Sequence, residues 1–218
     1  MNVLISGFTG AGKTDVATTL ALALNWTFVS GSKVREAAYQ LNLREPASDF
    51  WRFSDHSAGL DLKRISMPDD DKAVDTRLVK MIAASTNCVF DVWFVPWLLK
   101  QNTSIRIWLD APFEVRLGRV AVSMHRSMSQ IRQAVSEKDK RAIEFARIAY
   151  AIDMATDRTP FDIVVDASIM STAEIADALA SIVKVTVRAP GKPVGEMPLE
   201  LPIGISFSSM FAARLRHV

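Results

Sequence analysis

Residues 2–14 read NVLISGFTGAGKT, and this stretch decides the fold. Residues 2–6 form a short apolar run typical of a buried strand, and residues 15–24 place alanine, leucine and threonine at helical spacing. Between the two, residues 7–14 fit the pattern G-x-x-x-x-G-K-[ST] at every fixed position. The stretch therefore predicts a strand, then a phosphate-binding loop (P-loop), then a helix.

The P-loop predicts a nucleoside triphosphate as ligand. Its glycines let the backbone curl so that N–H groups face a phosphate, and the start of the helix adds partial positive charge. We expect Lys13 to reach the β- and γ-phosphates and Thr14 to offer its hydroxyl to Mg²⁺. An ordinary glycine-rich turn is the alternative, but such a turn needs neither the lysine nor the threonine. The residues predicted to bind ATP are Gly7, Thr9, Gly10, Ala11, Gly12, Lys13 and Thr14.

The composition of the 218-residue chain is that of a folded protein. With 49% hydrophobic and 23% charged residues it can bury a core, which excludes disordered and low-complexity classes. A formal net charge of +2 is too small to indicate nucleic-acid binding. No apolar run reaches the roughly 18 residues of a membrane span, and the single Cys88 cannot form an internal disulfide. We therefore expect a soluble, cytoplasmic protein that binds neither nucleic acid nor membranes.

Four more short apolar runs follow, each next to a stretch of helical character. Parallel strands need crossover connections, which are usually helices, so this alternation predicts an α/β protein. We predict three layers with a five-stranded parallel sheet in the middle. The four runs are Thr27 to Ser30, Asn87 to Val92, Ser104 to Asp110 and Phe161 to Asp166.

A basic segment follows the fourth predicted strand. Residues 116–147 contain eight lysines and arginines against three acidic residues, mostly on a long helix predicted from Ser127 to about Ala155. Phosphoryl transfer spreads negative charge over the migrating group, so guanidinium groups that close over it stabilise the transition state. The segment therefore indicates a lid, and the alternative is a solvated helix face.

The end of the chain differs in character from the rest. A last helix, predicted from Thr172 to about Val183, completes a domain that we place at residues 1–185. Four of the nine prolines fall between Pro190 and Pro202, so residues 186–218 are predicted to form an extended tail. We expect this tail to lie on its own domain or on a second subunit, in a monomer or a homodimer, and to be dispensable for chemistry.

Several stretches outside the P-loop carry motifs in common with one family. They are FVSGSKVRE at residues 28–36, D-x-x-x-D-x-R at 71–77, IWLDAPFEVR at 107–116 followed by Arg119, YAID at 150–153 and FDIVVD at 161–166. In these motifs the chain resembles the nucleoside monophosphate kinases, and in particular the archaeal-type cytidylate kinases. The resemblance covers residues 1–183 and implies the P-loop kinase fold.

The resemblance implies a set of residues around the acceptor nucleotide. It places Arg35 on the acceptor phosphate, within an acceptor-binding region of about residues 31–85, and we include Ser30 among the predicted substrate contacts. It places Asp75 and Arg77 where the acceptor base is thought to lie.

The resemblance also implies roles around the transferred group. In a lid of about residues 116–147, Arg119 and Arg141 are expected to close over the phosphates as catalytic residues together with Lys13. Asp91, at the end of the third strand, is expected to hold hydrated Mg²⁺ with Thr14. Its alternative role is to cap a turn.

Two departures from the family pattern concern the acceptor. The family commonly has glycine-arginine after the third strand, where this chain reads VWFVPW at residues 92–97, and Phe145 falls where a second lid arginine is expected. Trp93 and Trp97 can belong to the core or form a wall against a flat base. We include Trp93 among the predicted substrate contacts. Arg141 or Arg147 can supply the missing lid charge from a neighbouring turn.

The leading hypothesis is an enzyme that transfers the γ-phosphoryl group of ATP to a nucleoside monophosphate with the help of Mg²⁺. CMP, dCMP or a modified cytidylate is the expected acceptor. One alternative is a P-loop kinase of a small hydroxylated metabolite, like the shikimate and gluconate kinases. Another is a nucleotide-hydrolysing switch protein with the tail as its partner contact. The three histidines lack the spacing of metal ligands, so no zinc site is predicted.

Overall fold

The computed structural model describes residues 1–38, 68–100, 104–187 and 204–208. Residues 39–67 of the predicted acceptor-binding region and most of the predicted tail lie outside the described residues. The strands are β1 (Asn2–Gly7), β2 (Thr27–Ser30), β3 (Cys88–Asp91), β4 (Ser104–Asp110), β5 (Ile163–Asp166) and β6 (Ile205–Phe207). The helices are α1 (Lys13–Leu24), α2 (Gly31–Ala38), α3 (Pro68–Ala84), α4 (Val95–Leu98), α5 (Phe113–Met124), α6 (Met128–Tyr150) and α7 (Thr172–Val187).

The strands form one sheet in the order β2-β3-β1-β4-β5-β6. The first five are parallel, as predicted. The prediction of five strands was wrong, because β6 adds a sixth, antiparallel to β5, from within the predicted tail. An antiparallel partner needs no crossover helix, so the strand-helix alternation did not reveal it. Gly204, at φ 97°, makes the turn into β6 just after the last proline of the tail.

Alternating side chains of the central strand face two helical layers. Val3 and Ile5 of β1 pack in a core with Leu20 of α1 and Leu179 of α7. Leu4 points to the opposite side, into a core with residues of α3. Because side chains alternate along a strand, one short apolar run thus holds both layers, and the predicted three-layer α/β architecture is confirmed.

Two helix ends differ from the sequence-based prediction. The long helix α6 ends at Tyr150, earlier than predicted, because Ala151 adopts a left-handed conformation (φ 55°) and the Ile152 N–H bonds back to the Ala146 carbonyl. The last helix α7 continues to Val187, beyond the predicted end. Cys88 is free and buried, as expected of a thiol in an apolar strand. In the parts of the chain that the structure describes, no helix has the length and apolar character needed to cross a bilayer.

The strand order fixes the position of the P-loop. The strand β1 lies between β3 and β4. From the carboxyl end of β1 the chain leads to β2 on one side, and from the neighbouring β3 it crosses to β4 on the other side of β1. In open parallel sheets the crevice at such a switch point is the place where ligands bind. The P-loop follows β1 at this edge, and Asp91 ends β3 beside it.

The side chain of Asn2, at the start of β1, connects this strand to the end of α3 and to the start of β3, at the edge of the sheet opposite the P-loop. Its amide nitrogen donates to the carbonyl oxygens of Ile82 and Ser85, both at 2.9 Å, and its amide oxygen accepts from the Cys88 N–H at 3.1 Å. Asn2 is 2% exposed, so its amide makes these bonds away from solvent. The bonds hold β3 in register with β1 and thereby hold Asp91 in register with the P-loop.

We expect Asn2→Ala to lower the free energy of unfolding by about 2–3 kcal/mol, since it leaves several buried polar groups without partners. Asn2→Asp is a more specific test, because aspartate has nearly the same size and shape as asparagine. It can still accept from Cys88, but it turns an oxygen toward two carbonyl oxygens, so we expect at least as large a loss. Chemical denaturation of both variants measures this, and a change below about 0.5 kcal/mol in either one would contradict it.

Candidate active site

The P-loop curls tightly after β1, and two of its glycines show why. Gly10 and Gly12 adopt φ values of 79° and 93°, in the region that favours glycine. A Cβ atom at Gly10 would lie 2.5 Å from the carbonyl oxygen of Arg116, so that position excludes a side chain on steric grounds as well. The loop therefore packs its backbone directly against α5.

The P-loop meets the end of β3 through two oxygen-bearing side chains. The hydroxyl of Thr14 donates to a carboxylate oxygen of Asp91 at 2.6 Å. Hydroxyl and carboxylate oxygens are hard donors of the kind that Mg²⁺ prefers, so this pair fits the predicted metal position. Within the described residues, no group of three or more His, Cys, Asp or Glu is arranged to hold a metal ion. Any Mg²⁺ held here thus needs phosphate and water oxygens to complete its coordination.

Lys13 lies against the P-loop itself. Its ammonium donates to the carbonyl oxygen of Phe8 at 3.0 Å and lies 5.5 Å from the centre of the Trp93 ring. The residue is 9% exposed. A lysine held in this way at the start of α1 is a fixed positive charge where the helix already favours anions.

A cleft of about 900 Å³ runs along this edge of the sheet. It joins the P-loop to α2 on one side and to the start of α7 on the other. Its polar and charged lining residues include Thr9, Lys13, Thr14, Ser30, Lys33, Arg35, Asp75, Asp91, Trp93, Arg119, Lys138, Ser171 and Thr172. Most of the predicted site residues are thus brought together in a single cavity.

The predicted acceptor residues Arg35 and Asp75 form an ion pair. A guanidinium nitrogen of Arg35 lies 3.1 Å from one oxygen of Asp75, and the Tyr150 hydroxyl donates to the other at 2.7 Å. Both residues line the cleft, but Asp75 is only 1% exposed, whereas the Arg35 side chain is 13% exposed. Sequence analysis paired Asp75 with the base, and in the structure both of its oxygens accept bonds from protein donors.

A buried ion pair attaches the predicted lid to the P-loop. Arg116 donates to the Thr9 carbonyl oxygen and to Asp139, both at 2.7 Å. The second oxygen of Asp139 accepts the Thr9 N–H at 3.0 Å. Arg116 and Asp139 are each 7% exposed. Sequence analysis did not identify Asp139, because an acid inside a basic helix looks like part of a solvated charge pattern.

The basic residues of the predicted lid fall into different places. Arg119 lines the cleft and donates to the carbonyl oxygen of Ala167, next to the start of α7. Lys138, which was not among the predicted site residues, also lines it. Arg141 lies 3.6 Å from Glu137 on its own helix and is not among the described residues that line the cleft.

Four other residues that the sequence analysis considered are placed as follows. Arg77 is exposed on α3 and, like Gly7, is absent from the described lining of the cleft. Trp97 packs edge-on against Trp108 and Phe161, and its indole N–H donates to Asp157 at 2.9 Å. Both Trp97 and Trp93 are partly buried against the same aromatic core, but only Trp93, four residues earlier, is among the described residues that line the cleft.

The start of α7 forms the far wall of the cleft. The backbone N–H and the hydroxyl of Ser171 donate to the Glu174 carboxylate at 2.8 and 2.7 Å, and the Glu174 N–H donates back to the Ser171 hydroxyl at 3.3 Å. These bonds, the backbone one foremost, lower the pKa of Glu174. The capping box keeps the first turn of α7 in place beside the cavity.

Comparisons with known proteins give two kinds of likeness. A cytidylate kinase from Saccharolobus islandicus is 31% identical over 173 residues, covering 77% of this chain and 82% of that protein. One from Pyrobaculum arsenaticum is 32% identical over 170 residues, covering 78% and 85%. Among solved structures, shikimate kinase from Acinetobacter baumannii in complex with shikimate has a TM-score of 0.55 at 16% identity, covering 86% of this chain and 95% of that chain. At that identity the structural likeness shows the fold alone.

The model of the cytidylate kinase-like family matches residues 2–169. This range runs from β1 through the P-loop, the acid at the end of β3 and both lid helices to the turn after β5. Because the match spans every element that forms the cleft except the start of α7, the chain belongs to the cytidylate kinase-like family of nucleoside monophosphate kinases.

Proposed function

We propose that the protein transfers the γ-phosphoryl group of ATP to a nucleoside monophosphate, with CMP, dCMP or a modified cytidylate as acceptor. The observation that carries the proposal is the single cleft that joins the P-loop to Arg35. A triphosphate on the loop and a monophosphate on Arg35 would occupy the same cavity. That arrangement suits direct transfer between two bound substrates.

The donor end of the cleft supplies fixed positive charge and N–H groups. Lys13 is held at the start of α1, and Arg119, which donates to the Ala167 carbonyl oxygen just after β5, lines the same cleft. Phosphoryl transfer needs little covalent participation from the protein, so groups that are already in place contribute most. We assign Lys13 and Arg119 to the phosphates of the donor, and Lys138 to the roof of the cleft near the migrating group.

Thr14 and Asp91 are the residues that would hold Mg²⁺. Their oxygens are 2.6 Å apart at the junction of the P-loop and β3. When bound, Mg²⁺ supplies positive charge to the phosphate oxygens. The role of Asp91 in this proposal is to orient the Thr14 hydroxyl and to keep a carboxylate at this edge of the sheet.

The acceptor class rests on two supports. The relatives are cytidylate kinases, and Arg35 lines the cleft where the resemblance places the acceptor phosphate. Trp93 lines the same cleft, with its ring centre 5.5 Å from the Lys13 ammonium, and offers a flat apolar surface. An aromatic wall beside a guanidinium suits an acceptor that has both a base and a phosphate.

A coupled assay of ADP release over all ribo- and deoxynucleoside monophosphates tests the proposal directly. We expect activity with cytidylates above all others and near-idle turnover without an acceptor. Shikimate and polyols belong in the same screen, since phosphorylation of one of them in place of nucleotides would overturn the proposed acceptor. Steady hydrolysis that no acceptor accelerates would indicate a switch protein instead.

We expect Lys13→Ala to lower kcat by at least on the order of a hundredfold, because it removes one preorganised charge from the transferred phosphates. The cleft-facing position of Lys13 predicts that the variant stays folded. Lys184→Ala, which removes an exposed lysine of α7, is the matched control and should keep full activity. A well-folded Lys13→Ala protein with normal turnover would contradict the kinase assignment.

We expect Arg35→Lys to raise the KM for the acceptor by about tenfold with a smaller effect on the KM for ATP, since an ammonium cannot form two parallel bonds to a phosphate. Arg132→Lys is the control. It alters an exposed arginine that donates two bonds to Glu114, away from the cleft. Equal rises in both KM values for Arg35→Lys would remove Arg35 from the acceptor site.

A further inference from the structure

Asp75 is the link between the acceptor end of the cleft and the long helix α6. Its carboxylate is almost fully buried, and its two oxygens accept from Arg35 of α2 and from Tyr150, the last residue of α6. A carboxylate with both oxygens engaged by fixed donors has little freedom to turn. The direction in which Asp75 holds Arg35 therefore depends on where the Tyr150 hydroxyl lies.

The Tyr150 ring is itself held in place. It packs against Phe94 and Phe145, with ring centres 6.3 and 5.8 Å away. Phe145 is 1% exposed and Phe94 is completely buried, so the ring lies against a packed aromatic cluster. Tyr150 is not among the described residues that line the cleft, and the bond of its hydroxyl to Asp75 connects it to Arg35, which does line it.

The helix that carries Tyr150 has a second anchor at the P-loop. Asp139 of α6 accepts the Thr9 N–H, and Tyr150 follows Asp139 by about three helical turns. With 3.6 residues per turn, these two residues lie on nearly the same face of α6. One face of one helix thus contacts the donor loop at Asp139 and the acceptor arginine, through Asp75, at Tyr150.

We propose that Tyr150 is a positioning residue for the acceptor: its hydroxyl fixes Asp75, which aims Arg35 into the cleft. The proposal rests on the proposed function in one respect, that Arg35 binds the acceptor phosphate. Without the hydroxyl, one oxygen of a buried carboxylate loses its donor. Asp75 then turns toward the remaining donor and draws the guanidinium of Arg35 away from the cavity.

The test is Tyr150→Phe, which deletes one hydroxyl and keeps the ring in its aromatic cluster. We expect the KM for CMP to rise about threefold to tenfold, the range that corresponds to one hydrogen bond. We expect kcat and the KM for ATP to stay within twofold of the wild-type values. A residue that merely supports the fold would lower the melting temperature without separating the two KM values.

Thr186→Val is the matched control. It removes one hydroxyl, bonded within α7 to the Ile182 carbonyl at 2.8 Å, at a residue outside the described lining of the cleft. It should leave both KM values unchanged. Combining Tyr150→Phe with Arg35→Lys adds a second reading: if the hydroxyl acts through Arg35, the double variant should have a KM for CMP close to that of Arg35→Lys alone.

Two results overturn the inference. One is a Tyr150→Phe protein whose KM for CMP is unchanged or rises equally with that for ATP. The other is a double variant in which the two effects multiply in full. A wild-type protein that phosphorylates no nucleoside monophosphate overturns the proposed function first, and this inference with it. The wild-type assay therefore distinguishes the two failures.

Discussion

The backbone of Thr9 is the point on which the geometry of the cleft depends. Its carbonyl oxygen accepts from Arg116 and its N–H donates to Asp139, while Arg116 and Asp139 also bind each other. The desolvation of two buried charges offsets much of their attraction, so such a pair adds little net stability. Its contribution is positional: α5 and α6 can pack as they do only when the P-loop adopts the curled form that Gly10 permits.

This attachment limits how the predicted lid can move relative to the P-loop. The basic segment suggested a mobile cover, yet both ends of its central ion pair are buried against the P-loop. Five apolar residues also pack between α5 and α6, so these helices share a core with each other. Moving residues 116–147 as one body would break the bonds that Arg116 and Asp139 make to the Thr9 backbone and would leave these buried charged groups with fewer partners. A side chain such as Lys138, which lines the cleft, can move without that cost.

How far the sequence predicts the site depends on the kind of contact. Val3, Leu4 and Ile5 alternate between two cores, and the P-loop spacing needs no distant partner, so local pattern was enough for the five parallel strands and the P-loop. Asp75 accepts from Tyr150, 75 residues away, and Asp139 accepts from Thr9, 130 residues away. No local pattern records such pairings. A buried acid and an exposed acid can have the same neighbouring residues in the sequence. Only the structure shows which of the two is buried.

The sixth strand was missed for a related reason. The prolines of the predicted tail indicate an extended chain, but they say nothing about the three residues that follow Gly204. Those residues cover the otherwise open side of β5, and Ile205 is buried there. An edge strand with an apolar core beneath it needs a cover, and that need arises only once the sheet order is known.

Two aromatic residues of this chain stand where the resemblance expects arginines, and both bear on how the proposed acceptor end of the cleft is built. Phe145, where a second lid arginine was expected, packs with Phe94 and Tyr150, and Trp93 stands where the resemblance expects another arginine. Of the two arginines in the described lining of the cleft, Arg35 is the one at the acceptor end. A guanidinium that a buried carboxylate already orients loses less side-chain entropy on binding a phosphate than a free one. The aromatic cluster that replaces one arginine thus supports, through Tyr150 and Asp75, the orientation of another.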